Sequence, residues 1–175
     1  MALAEELQGS GEFVCDFTFG SGEQLELRQA YSTLGQPRRD ATTGRVANAV
    51  LVLHGTTGSG SAFLAGASRR SFAEPLFGAG GPLDAREHFI VLPDGIGHGA
   101  SSRPSDGLRM DFPRYDYDDM VAAQHRLLTE HLGVDHLLLV TGTSMGGMHT
   151  WCWGYTHPGF MDALFPLASL PIVRV

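Results

Sequence analysis

The sequence predicts an α/β protein built around a mainly parallel sheet, and three observations carry this. Ala49–Leu53, His88–Leu92 and His136–Val140 are continuous apolar runs of strand length, the pattern of strands buried on both faces. Segments of helical character separate them, so strands and helices alternate along the chain. Each apolar run also leads into a glycine-rich turn, at His54–Gly60, Asp94–Gly99 and Gly142–Gly147.

The elements follow in order. Glu12–Phe19 alternates loosely and meets Gln24–Tyr31 across Gly20-Ser-Gly22, which predicts an N-terminal antiparallel hairpin at the sheet edge. Gln36–Ala47 is polar, with Pro37, Gly44 and three arginines, and reads as a loop. After the first buried strand a helix is expected over Ser61–Phe77, with Phe63, Leu64, Phe72 and Leu76 as its apolar positions, ended by Gly78–Pro82. Beyond the second strand comes a loop containing Pro104 and Pro113. An amphipathic helix then spans Asp116–Leu132, with Met120, Val121, Leu127, Leu128 and Leu132 along its stripe and Gly133 where a C-terminal cap belongs. The third buried strand, a helix over Met145–Thr156 and a short strand over Ala163–Ala168 complete the chain. The expectation is one domain over residues 1–175, truncated after about six strands.

Composition narrows the function. With 43% hydrophobic and 18% charged residues the chain reads as a soluble globular protein. A net charge of -7 and no basic run exclude a nucleic-acid footprint. No apolar stretch approaches the roughly 18 residues of a membrane span, and Met1–Ser10 lacks the basic and apolar regions of a signal peptide. Cys15 and Cys152 are too few for a disulfide framework or a zinc site, so a reducing, cytoplasmic setting is the default and no cofactor is expected.

The chemistry concentrates at Ser144. A serine hydroxyl is a weak nucleophile that needs a base, and it must project from the fold to meet base and substrate. A strand, a Gly-x-Ser-x-Gly turn and a helix achieve this, and Leu137–Val140, Gly142-Thr-Ser-Met-Gly146 and the segment from Gly147 supply them in that order. His54-Gly55-Thr56, at the end of the first buried strand, is the second signal. Negative charge developing on a tetrahedral intermediate is best met by backbone N–H groups already in place, and Thr56 and Met145 are the two expected donors. The loop lacks the lysine of a phosphate-binding loop. His54, Gly55, Thr57 and His98 are expected near substrate, with a turn-stabilising role equally open for His98.

These residues carry a family resemblance. From about Tyr31 to Ser169 the chain resembles the α/β-hydrolase superfamily, and more narrowly its homoserine O-acetyltransferase-like branch. The matching segments are Tyr31-Ser-Thr-Leu-Gly35, Asp111-Phe-Pro, Asp118-Asp-Met-Val-Ala-Ala-Gln124, Leu132-Gly-Val134 and Gly142-Thr-Ser-Met-Gly-Gly-Met148. The resemblance implies an α/β-hydrolase-type sheet and acyl transfer or hydrolysis of a small-molecule ester through an acyl-serine. The run Asp94-Gly-Ile-Gly-His-Gly-Ala-Ser-Ser102 departs from the acetyltransferase pattern toward the general hydrolase one, which favours a hydrolase.

A second departure is larger. The triad of this superfamily runs serine, acid, histidine, but after Ser144 the only carboxylate is Asp162 and no histidine follows it. His149 lies about 7.5 Å along the helix from the elbow and should point away. The chain is therefore expected to be inactive alone, with base, acid and lid on a missing C-terminal segment or a partner. The alternative from another class is a non-catalytic α/β binding module. The last strand would leave an open sheet edge, which predicts pairing or oligomerisation. No histidine spacing suits a metal. Tyr115–Asp119 reads as an acidic helix start, and Trp151, Trp153 and Tyr155 as packing residues.

Overall fold

The computed structural model describes residues 7–64 and 73–171. Its elements are β1 (Gln8–Thr18), β2 (Gln24–Leu34), β3 (Ala49–Leu53), α1 (Ala73–Phe77), β4 (Phe89–Pro93), α2 (Tyr117–Arg126), β5 (Leu137–Thr143), α3 (Met145–Thr156) and β6 (Met161–Leu167). The six strands form one sheet in the order β1-β2-β4-β3-β5-β6. The pairs β4–β3, β3–β5 and β5–β6 are parallel, while β1–β2 and β2–β4 are antiparallel. This is the mixed sheet with an N-terminal antiparallel hairpin that the sequence predicts.

Every residue of β3 and β4 is buried, as continuous apolar runs require. On one face Leu51, Leu53, Val91, Leu137 and Val140 pack against Val121 and Leu128 of the α2 segment and Cys152 and Trp153 of α3. On the other, Val50, Val52, Ile90 and Leu92 meet Phe77 and Leu83. Only the ends of the helix expected over Ser61–Phe77 are described, as a 3-10 turn at Ser61–Phe63 and as α1. Its middle, with Phe72, lies outside the described residues.

The hairpin is longer than its alternation suggests, running in unbroken register from Gln8↔Leu34 to Thr18↔Gln24. Its polar first residues carry a glycine where the partner strand's side chain crosses. A Cβ on Gly11 would stand 2.5 Å from the Tyr31 hydroxyl, so only glycine lets that ring lie across β1. The helix expected over Asp116–Leu132 is α-helical only to Arg126, and Leu127–His131 continue it as a π-turn. Asp116 caps its start by accepting from the Asp118 and Asp119 N–H groups, and Gly133 turns the chain out at φ 63°. β6 closes the order as an edge strand with Phe165 and Leu167 exposed.

Candidate active site

Parallel neighbours end on the same side of a sheet, so the turns after β4, β3 and β5 are brought side by side. Leu53 pairs with Gly142, which sets the ends of β3 and β5 side by side. Ser144 follows β5 at φ 56° and ψ -118°, a conformation that strains any residue bearing a Cβ. It stands at the N-terminus of α3, exposed, and its hydroxyl makes no capping hydrogen bond to the helix. Its N–H donates to Leu167 O at 3.0 Å, tying the turn to β6.

The flanking glycines answer to close approach. A Cβ on Gly142 would lie 2.5 Å from the Gly146 carbonyl, and one on Gly146 would lie 2.6 Å from the Leu53 carbonyl carbon. One on Gly147 would meet Ser169 Oγ at 2.5 Å. Strand β3, the turn and α3 are thus in backbone contact, which is why a Gly-x-Ser-x-Gly-Gly run is needed here.

A cleft of about 500 Å³ brings together His54, Gly55, Thr56, Thr57, Phe63, Thr143 and Ser144. Gly55 lies against the serine: a Cβ there would be 3.6 Å from Ser144 Cβ. Among the described residues the Thr56 and Met145 N–H groups donate to no backbone acceptor, and Met145 buries its side chain beside Phe17 and Met120. Met145 and His98 do not line this cleft. His98 holds its own turn through a contact of 3.0 Å between Nδ1 and Ile96 O, and its ring sits 5.3 Å from that of His54.

His54 is 5% exposed and both of its ring nitrogens are engaged. Nε2 accepts from Gly95 N–H at 2.9 Å and Nδ1 lies 2.8 Å from Gly55 O. Burial, with His98 nearby, pushes its pKa below the usual imidazole range, against the Gly55 hydrogen bond and Asp94, which favour the charged form. Asp94 is a residue whose part the sequence does not announce. Its buried carboxylate accepts from Gly60 N–H at 2.6 Å and from Ala100 N–H at 2.8 Å, clamping the turns after β3 and β4 together.

The other histidines are placed elsewhere. His149 is buried and pushed down to about 3, first by burial and then by His54 and His98. Its Nδ1 is 3.5 Å from Gln124 Nε2, and Gln124 also accepts from Trp153 Nε1 at 2.9 Å. His125 and His157 stack at 4.1 Å, His131 bonds Tyr31, His136 bonds Asp162 and His88 meets Asp84 O. Among the described residues no three His, Cys, Asp or Glu side chains gather as a metal site, and no helix is long and apolar enough to cross a membrane.

Fold and site together define a class. The alpha/beta hydrolase fold family matches residues 48–172, and the chain belongs to that family. It is 39% identical over 166 residues to a homoserine O-acetyltransferase of Moorella thermoacetica, covering 85% of this chain and 41% of that protein. A probable acyltransferase of Methanothermobacter thermautotrophicus is 34% identical over 174 residues, covering 98% of this chain and 51% of that one. Among solved structures, an acetylester hydrolase from Corynebacterium glutamicum superposes with a TM-score of 0.77 at 25% identity, over 93% of this chain and 44% of that one. The chain therefore spans about half, or less, of the length of these proteins.

Proposed function

We propose that Ser144 is the nucleophile of an acyl-transfer site whose oxyanion hole is formed by the N–H groups of Thr56 and Met145. The observation that carries this is the strained, exposed serine at a helix N-terminus facing the Gly55–Thr56 turn. Ser144 Oγ attacks the substrate carbonyl, its proton passes to a base, and the two N–H groups receive the charge on the carbonyl oxygen. Collapse expels the alcohol and leaves an acyl-serine, which water then cleaves. The favoured substrate is a small ester, with the cleft beside Phe63 taking part of it. Transfer of the acyl group to an alcohol is the second reading, supported by the acyltransferases among the relatives.

We further propose that base and acid come from outside these 175 residues, from the length of the relatives that this chain does not span. In support, the eight histidines are placed as described above, and among the described residues none is hydrogen-bonded to the Ser144 hydroxyl. Labelling with a fluorophosphonate probe tests both parts. Slow labelling is expected, accelerated by added imidazole and abolished in Ser144→Ala. Labelling that survives Ser144→Ala refutes the nucleophile. Fast labelling without imidazole refutes the external base.

A further inference from the structure

We propose that His54 is a positioning residue that aims the Thr56 N–H by holding the other end of the same peptide group, an inference that rests on the oxyanion reading above. The Gly55 carbonyl and the Thr56 N–H belong to one planar unit, and in a trans peptide they point in opposite directions. Fixing the carbonyl therefore fixes the N–H. Two donors converge on Gly55 O: Gly58 N–H at 2.9 Å, closing the turn, and His54 Nδ1 at 2.8 Å. Glycine lets this peptide rotate freely, so the orientation depends on those bonds.

The second ring nitrogen fixes which one carries the proton. Gly95 N–H can only donate, so the Nε2 that receives it at 2.9 Å is the bare nitrogen. The single proton of the neutral ring then sits on Nδ1 and is directed at Gly55 O. His54 thus links the turn after β3 to the turn after β4, with the Asp94 carboxylate on Gly60 as a parallel clamp. Charging the ring would place a proton on Nε2 against the Gly95 N–H and break the link. Burial and the neighbouring His98 oppose that charge and Asp94 favours it, while His149 is the other titrating group that senses His54.

Two variants separate the ring's two arms. The side-chain amide nitrogen of His54→Asn stands near Nδ1 and keeps a donor for Gly55 O. His54→Gln reaches Gly95 instead and leaves Gly55 O to Gly58 alone. Long-range proton–nitrogen spectra of the unaltered chain at neutral pH are expected to show a neutral ring protonated on Nδ1. A ring protonated on Nε2, or one charged at that pH, overturns the proposal. Residual dipolar couplings are expected to show the Thr56 N–H direction retained in His54→Asn and changed in His54→Gln, with other amides unmoved. An unchanged Thr56 direction in a folded His54→Gln overturns it. Imidazole-assisted labelling of Ser144 is expected to fall about 10²-fold in His54→Gln and only a few-fold in His54→Asn; equal rates in the two variants overturn the proposal. Absence of labelling in the unaltered chain refutes the nucleophile instead, and the Thr56 direction still decides the part played by His54.

Discussion

Gly146→Ala sets two magnitudes against each other. Gly146 lies in the first turn of α3, and replacing an exposed helical glycine by alanine stabilises by about 1 kcal/mol. Here the new methyl would stand 2.6 Å from the Leu53 carbonyl carbon and 2.8 Å from His54 O, where ordinary contact begins at 3.4 Å. The Leu53 carbonyl oxygen lies closer still, so the backbones of β3 and α3 would have to part by more than 0.8 Å, and neither is a flexible side chain that can step aside. Overpacking against fixed groups costs about 3 kcal/mol, at the upper end of its common range. The contact outweighs the propensity, leaving a net loss of about 2 kcal/mol. For a chain of this size that lowers Tm by about 4–8 °C.

Thermal unfolding followed by circular dichroism reads the shift. Gly154→Ala, in the same helix, is the control. Its methyl would meet only Leu164 Cδ1, the end of a mobile side chain, at 2.6 Å, so its Tm is expected within about 3 °C of the unaltered chain. A Gly146→Ala protein as stable as the parent, or more stable, would refute the claim that the elbow is wedged against β3. The same displacement moves Ser144 and the Met145 N–H relative to the Gly55 turn, so imidazole-assisted labelling of Ser144 should fall about 10²-fold.

Further predictions follow from the same geometry. Ser144→Gly relieves the positive φ and should raise stability by about 1 kcal/mol while abolishing probe labelling, read by urea titration and mass spectrometry; a loss of stability would mean the turn is unstrained. Asp94→Ala strands the buried Gly60 N–H and frees the part-buried Ala100 N–H to solvent, and should cost about 2 kcal/mol in urea denaturation, with a change under 1 kcal/mol counting against the clamp. His149 has a folded pKa near 3, below its unfolded value of about 6.5, so the unfolded chain takes up the proton first and stability is lost as pH falls below about 6.5. Between pH 7 and 5 this single ring should cost about 2 kcal/mol, and His149→Gln should remove that part of the pH dependence; an unchanged slope would show that the ring is charged in the folded chain.

How much of this was legible in the sequence depends on the range of the interaction concerned. The buried strands were legible because burial on both faces demands an unbroken apolar run, and Ala49–Leu53 has one. The elbow was legible because its glycines answer to close approach within one short segment and to the two strands beside it, β3 and β6. The first residues of β1 were not, since Gln8–Gly11 has no apolar alternation and pairs with Tyr31–Leu34, which is itself held against β4. The π-turn after Arg126 was hidden for a similar reason: Leu127 and Leu128 suit a helical stripe of either pitch.

The site divides along the same line. Thr56, Gly55 and Ser144 share one cleft because β3 and β5 are neighbours, which a pattern of alternating strands and helices already favours. Their orientation is another matter. It rests on His54 reaching Gly95, 41 positions away, and on Asp94 reaching back to Gly60 across 34. Neither bond has a local signature: an aspartate before glycine reads as turn chemistry, and a histidine before glycine reads as a substrate contact. Three adjacent parallel strand ends convert both into ties between turns. The serine is thus marked by its own neighbours in the chain, while the proposed aim of the Thr56 N–H depends on ties from its own turn to the turn after β4.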